Sequence, residues 1–356
     1  MKYTSTLASL GMASLATADL SRQHGMASHS KRGFAYGHAH GHGHGSGGDC
    51  AVRDDVVTLG GLPLGLFPDD TSQMGISESL PELNMVAGKK FASAGRYTQA
   101  TAGQEYDGLQ LYAVLGQVMA ADAAFHISFM PKGQNYSGLL PGDDSNAVAF
   151  CNALQNITTN YVSDVEVRLF HEMNYYMNDA AYNSDGESTY PSDKEEYMIA
   201  YKHVYDTCKQ VVPNVPFGWC PNIDTNTTAL EEYWPGDEYA DFVCMDYYPQ
   251  SPENLTFVET FTDFYDRFAT EQHPFVVGET GLHWDGTISD KLTWLDQIVQ
   301  SSKGPFPLLK YIDWFNFMSY YDPPRDYRII DPFLPEMNAA LLEYINTGYV
   351  PANNTA

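Results

Sequence analysis

The sequence predicts an α/β protein whose folded body is a single (β/α)8 TIM barrel, preceded by a signal peptide and a flexible Gly/His-rich segment. Three observations carry this expectation. From about residue 50 the 356-residue chain repeats a short apolar, β-branched run, a polar loop and a longer stretch with helical spacing, the rhythm of successive βα units. Eight such runs can be counted. They occupy about 300 residues, which suits a closed barrel with outer helices. The fallback is an open doubly wound sheet, but no G-x-G-x-x-G follows the first run, which speaks against a dinucleotide-binding version.

Taken in order, residues 1–18 (MKYTSTLASLGMASLATA) read as a signal peptide, with Lys2 as the charged start and Ala16-Thr17-Ala18 as a small-residue cleavage site. Residues 19–49 read as a propeptide or low-complexity linker: Lys31-Arg32 looks like a dibasic processing site, and the Gly/His run after it cannot bury a core. His38, His40, His42 and His44 offer imidazoles, yet a flexible tract fixes no coordination geometry, so a linker is expected and no metal site. Residues 50–350 form the barrel domain. Its strands are expected over 56–67, 89–97, 123–130, 165–172, 216–221, 241–248, 274–280 and 309–317. Among the helices, 192–212 opens on an Asp/Ser cap with Glu195 and Glu196 in its first turn and closes at Pro213. Further helices are expected over 254–272, 289–302 and 335–345.

Composition narrows the function. The chain has 45 acidic against 19 basic residues, a net charge of -26, which repels phosphate backbones and anionic lipid, so nucleic acid and membrane are excluded as partners. No stretch reaches the ~18 apolar residues of a membrane span. A secreted, extracellular monomer is expected. Five N-x-S/T sequons, at Asn135, Asn156, Asn226, Asn254 and Asn353, fit a glycosylated product. The cysteines are Cys50, Cys151, Cys208, Cys220 and Cys244, an odd number without C-x-x-C spacing; one or two disulfides and a leftover thiol are expected, with the pairing open.

A barrel gathers its chemistry at the carboxyl ends of its strands. The fourth run reads Arg168-Leu169-Phe170-His171-Glu172-Met173-Asn174, and period two puts Arg168, Phe170 and Glu172 on one face with Glu172 at the mouth. On this reading Arg168 lies beneath Glu172 as an available salt-bridge partner. The seventh run ends in Gly278-Glu279-Thr280-Gly281, a carboxylate flanked by glycines as though the backbone passes close to something. Strands four and seven face each other across a barrel. Two glutamates meeting there provide what retaining glycoside hydrolysis needs: a proton donor for the leaving oxygen and a nucleophile ~5–5.5 Å away.

These segments resemble glycoside hydrolase family 26. RLFHEMNYYM (168–177) is similar to its acid/base signature, VVGETG (276–281) to its nucleophile strand, and WPGDEYADFVCMDYY (234–248) to the run before its nucleophile-holding tyrosine. The resemblance implies Glu172 as acid/base and Glu279 as nucleophile, with double displacement, retention and no metal or organic cofactor. It implies a substrate-binding set of His171, which orients the acid/base, Asn174 at its rim, Tyr248, which bonds the nucleophile, and Trp314, which stacks on the sugar. Arg168 is grouped with them, and Trp234, Trp284, Tyr175 and Tyr176 are further platforms. An endo-β-1,4-mannanase acting on a plant or fungal polysaccharide leads. Tyr175-Tyr176-Met177 and Phe129-Met130 depart from the mannanase pattern and keep open a β-1,3-xylanase, a mixed-linkage β-glucanase or a non-catalytic polysaccharide-binding barrel. A serine hydrolase lacks its G-x-S-x-G, and a metallopeptidase its H-E-x-x-H.

Overall fold

A computed structural model describes residues 54–69, 78–133, 135–178, 190–224, 226–250, 256–282, 286–319 and 325–351. The expected signal peptide and linker, with Cys50, Asn254, Trp284 and Asn353, lie outside the described residues. Eight parallel strands close on themselves: β1 (Leu62–Pro68), β2 (Ser93–Thr101), β3 (Ala124–Lys132), β4 (Val165–Leu169), β5 (Phe217–Trp219), β6 (Phe242–Tyr247), β7 (Phe275–Thr280) and β8 (Leu309–Asn316). Each pairs with its neighbour in sequence, and β8 returns to β1 with Leu64 opposite Ile312 and Pro68 opposite Asn316. The eight expected runs are these eight strands. The first is interrupted: Gly60 (φ 59°) and Gly61 (φ 99°) turn the chain so that Thr58–Leu59 folds back antiparallel on the start of β1.

The outer layer contains α1 (Leu80–Ala87), α2 (Leu115–Ala121), α3 (Ser145–Asn160), α4 (Met173–Asn178), α5 (Lys194–Val211), α6 (Phe257–Phe268), α7 (Ile288–Ser302) and α8 (Pro335–Thr347). The starts follow capping chemistry. Asp193 accepts from the N–H groups of Glu195 and Glu196, while Thr256/Glu259 and Thr287/Asp290 form reciprocal boxes; each such cap contributes about 1 kcal/mol. α6 buries Phe257, Phe261, Phe264, Tyr265 and Phe268, the three-and-four spacing of a core-facing stripe. Between β5 and β6 the described chain has only short helical turns, at Thr227–Leu230, Glu231–Tyr233 and Asp237–Tyr239.

Two disulfides form. Cys151–Cys208 ties α3 to α5 on the outside, and Cys220–Cys244 ties the residue after β5 to β6, packed in the lumen with Phe242, Val276 and Tyr311. Below them the barrel interior is polar: Tyr311 donates to Glu166 (2.7 Å), and Asp313 takes Ser93 (2.5 Å) and His126 (2.6 Å). Burial pulls the His126 imidazole down, but the charge and hydrogen bond of Asp313, with Glu166 and Asp164 nearby, push it up to about 9.

Candidate active site

The end of β4 breaks the strand period. The ladder stops at Leu169, and Phe170 (φ 49°) and Glu172 (φ 54°) occupy the left-handed region, a strain of about 1–3 kcal/mol each. Phe170 therefore turns outward to Phe129, Tyr136, Tyr197 and Tyr201, while Arg168 points into the lumen, so the single face expected for Arg168, Phe170 and Glu172 does not exist. Backbone bonds hold the strained turn. Phe170 N donates to Phe129 O (2.8 Å), Glu172 N to Cys220 O (2.7 Å), and Glu172 O accepts from Tyr175 and Tyr176 at the start of α4. The Glu172 Oε1 accepts from Asn222 Nδ2 (2.5 Å), and Asn174 fixes Asn222 by bonding its backbone N–H and C=O, both at 2.9 Å.

Glu279, on β7, receives three donors. Tyr248 donates to Oε1, while Tyr97 (2.5 Å) and Arg168 (2.7 Å) donate to Oε2. Arg168 is fully buried; its Nη1 reaches both Asp246 oxygens at 2.8 Å, and its Nε and Nη2 bond Ser128 Oγ at 3.0 and 2.7 Å. It is thus the counter-ion of Glu279 and Asp246, not a bridge beneath Glu172 and not a substrate contact. The glycine before Glu279 has a concrete neighbour: a Cβ on Gly278 would lie 2.9 Å from Asp246 Oδ1, 3.0 Å from Cys220 Sγ and 3.1 Å from Cys244 Cβ.

The two glutamates differ electrostatically. Burial, then the nearby Glu279 charge, pushes Glu172 up to about 7, with Asn222, Arg168 and Tyr176 pulling the other way. Burial and the Glu279 charge raise the Tyr97 and Tyr248 phenols, so both remain donors. Burial and Arg168 hold His171 well below its usual range; the ring is neutral, its Nδ1 has no hydrogen-bond partner among the described residues, and it lies 5.5 Å from the Tyr97 ring. Ligand-type atoms of His171, Asp246 and Glu279 lie within 4.8 Å of one another. The cation among them is the Arg168 guanidinium, which already bonds both acids, so the set does not suit a metal ion.

Of the residues expected at the site, Glu172, Glu279, His171, Asn174 and Tyr248 come together, and Trp314 does not. Trp314 is fully buried on β8 with its Nε1 bonded to Tyr327 O (2.8 Å), so it has no face for a sugar. The half-buried aromatic beside Tyr248 is instead Phe315, 5.5 Å away and stacked on Phe317 at 4.9 Å. Trp234 packs on Trp219 and Phe268, whereas Tyr176 bonds Glu172 and stacks on Tyr190. Sequence reasoning missed Tyr97, Asn222, Asp246 and Ser128; Tyr97 closes the second expected run, so a survey of every strand end for donors would have found it.

No family model matches the chain. Over 198 residues it is 25% identical to Endoglucanase H of Acetivibrio thermocellus, a match that takes in 53% of this chain but 21% of that protein, so the chain spans about a fifth of that curated relative. Among solved structures, the modular endo-β-1,4-mannanase of Cellulomonas fimi, from glycoside hydrolase family 26, superposes with a TM-score of 0.54 at 14% identity, covering 83% of this chain and 72% of that one. A double mutant of the Cellulomonas fimi enzyme gives the same TM-score at 15% identity, with 81% and 71% covered. At such identities the likeness is architectural, and this chain shares its (β/α)8-barrel fold with the Cellulomonas fimi mannanase.

Proposed function

We propose that the chain is a secreted, monomeric, retaining β-glycanase of glycoside hydrolase family 26, an endo-β-1,4-mannanase cleaving plant or fungal polysaccharide without a cofactor. The observation that carries this reading is the unequal treatment of two carboxyls at one barrel mouth: Glu279 faces three donors, one of them cationic, while Glu172 is pushed up to about 7. Such a split assigns nucleophile and acid. Glu279 attacks the anomeric carbon while the Glu172 proton passes to the glycosidic oxygen, and the C–O bond breaks to release an alcohol. Water then attacks the glycosyl ester, gives its proton to Glu172, and restores the Glu279 carboxylate. Tyr248, Tyr97 and Arg168 hold Glu279; Asn174 acts through Asn222; the neutral His171 borders the cleft.

Mannan as substrate rests on the family-26 motifs and on the fold shared with the Cellulomonas fimi mannanase. The stretch shared with Endoglucanase H favours a β-glucan as the second reading. Incubation of the protein with mannan, xylans and β-glucans in parallel, with product lengths read by chromatography and anomeric configuration by NMR, tests both. Mixed-length β-configured manno-oligosaccharides are expected, and products from β-glucan alone select the second reading. Inversion, or activity unchanged in Glu279→Ala, overturns the mechanism.

A further inference from the structure

The two disulfides sit in unlike places. Cys151–Cys208 joins two outer helices across a sequence separation of 57. Cys220–Cys244 spans only 24 residues and lies inside the barrel, directly under the strand that carries Glu279. The chain-entropy contribution of a cross-link grows with the loop it closes, so the inner one contributes less to stability. Its surroundings suggest another use. β5 is the shortest barrel strand, paired through Phe217 and Gly218 to β4 and through Gly218 and Trp219 to β6, with one further bridge between Asn222 and Asp246 beyond its end, and it is covered by Tyr205 of α5 and by Phe264 and Phe268 of α6. Yet the three residues after β5 hold the acid from two directions: the Cys220 carbonyl takes the N–H of Glu172, and Asn222 donates to its side chain. Glu172 needs such holding, because its backbone is in the strained left-handed region. On the other side of the cross-link, Asp246 stands two residues beyond Cys244 and receives the Arg168 guanidinium that also bonds Glu279.

We infer that the Cys220–Cys244 disulfide is a positioning element for Glu172, a covalent tie that fixes the segment after the short strand β5 so that it holds the acid against Glu279. The inference deepens the proposed function and rests on it for its kinetic consequence, but the geometry can be read without substrate. The titratable and charged groups that face Glu172 are Glu279 on β7, Arg168 on β4, Asp246 on β6, Tyr97 on β2, Tyr176 on α4 and Tyr248 after β6; the 220–222 segment contributes only the neutral Asn222 amide and the Cys220 carbonyl, so loosening it withdraws a donor from Glu172 without removing a charge.

The test compares the full chain with Cys220→Ala/Cys244→Ala and with Cys151→Ala/Cys208→Ala. Glu172 is titrated by NMR on carbon-13 glutamate-labelled protein, its resonance assigned with Glu172→Gln, and kcat and KM are measured on the best polymer. For the inner pair the Glu172 midpoint is expected to rise from about 7 by roughly one unit, because the loosened segment withdraws the Asn222 donor that stabilises the charged form. Its kcat should drop about 10-fold to 100-fold with KM little changed. The outer pair should lose more thermal stability and leave both readouts where they were. An unmoved Glu172 midpoint in the inner pair, or equal movement in both pairs, overturns the inference. So does a failure of the inner pair and of the bulkier Cys220→Ser/Cys244→Ala to fold while the outer pair folds. If the wild type cleaves no polysaccharide, the proposed function falls, and the titration still decides whether the disulfide positions Glu172.

Discussion

Replacing Asn222 with alanine isolates one contribution to the proton affinity of the acid. The Asn222 amide donates to Glu172 Oε1 at 2.5 Å and stabilises the charged form, so it pulls Glu172 below the value that burial and Glu279 alone would give. A hydrogen bond to a charged group contributes about 1.5–3 kcal/mol. At 1.36 kcal/mol per pH unit this corresponds to about one to two units. Asn222 is half-buried, and water replaces part of the lost bond, which leaves about one unit. The fold is not at stake, because Asn174 grips the backbone of Asn222 and not its side chain. The measurement is kcat/KM against pH, whose alkaline limb reports the group that must be protonated in the free enzyme. That limb is expected to move from about 7 to about 8. A limb that stays in place, or moves toward acid, refutes both the role of Glu172 and the reason given for its proton affinity.

Other expectations follow from the same contacts. Tyr248→Phe removes one donor from Glu279 and should lower kcat about 10-fold to 100-fold in steady-state assays while circular dichroism is unchanged. Gly278→Ala should destabilise the barrel by about 1–3 kcal/mol in denaturant titrations, since the new methyl meets Asp246, Cys220 and Cys244. The His126–Asp313 pair makes stability depend on pH. His126 rises from 6.5 to about 9 on folding, so its contribution is complete below about 6.5 and is lost as pH rises through about 9, amounting to about 3 kcal/mol. Thermal midpoints should fall over that window in the wild type, and Asp313→Asn should flatten the slope.

The fold was legible because its signals are local and repeated. Eight apolar runs, a capped 194–211 helix and the phenylalanine stripe of α6 each announce themselves over a handful of residues. The proximity of the two glutamates was legible for a similar reason, each following an apolar run to the mouth of the barrel, Glu279 within β7 and Glu172 just past the end of β4. The glycine beside Glu279 also kept its meaning: something does pass close, and it is Asp246 with the disulfide. What failed was extrapolation of regularity. Period two was carried through Phe170 and Glu172, where positive φ turns the chain outward at Phe170, while Arg168, still within the ladder, reaches across the lumen to Glu279 and Asp246. Trp314 was placed by its strand alone, but its indole is committed to Tyr327 in the interior. Asn222 and Tyr97 carry no motif of their own; they matter because distant segments bring them within 2.5 Å of the carboxyls.

The proton at Glu172 can be argued without any motif. Arg168, Asp246, Glu279 and Glu172 crowd the upper lumen, three carboxyls around one guanidinium, with burial raising both Asp246 and Glu172 against the pull of Arg168. One cation cannot balance three buried anions, so protons are retained there. Where negative charge settles is decided by donors. Glu279 has two phenols and a guanidinium nitrogen aimed at its oxygens. Among the described residues the donors to Glu172 are neutral, the Asn222 amide and the Tyr176 hydroxyl, and it keeps its proton to about 7. A cation introduced beside Glu172 would equalise the two carboxyls. In the proposed mechanism the division of labour between nucleophile and acid therefore depends on Arg168 being buried on the Glu279 side, where the regular β4 ladder places it before the turn at Phe170 and Glu172.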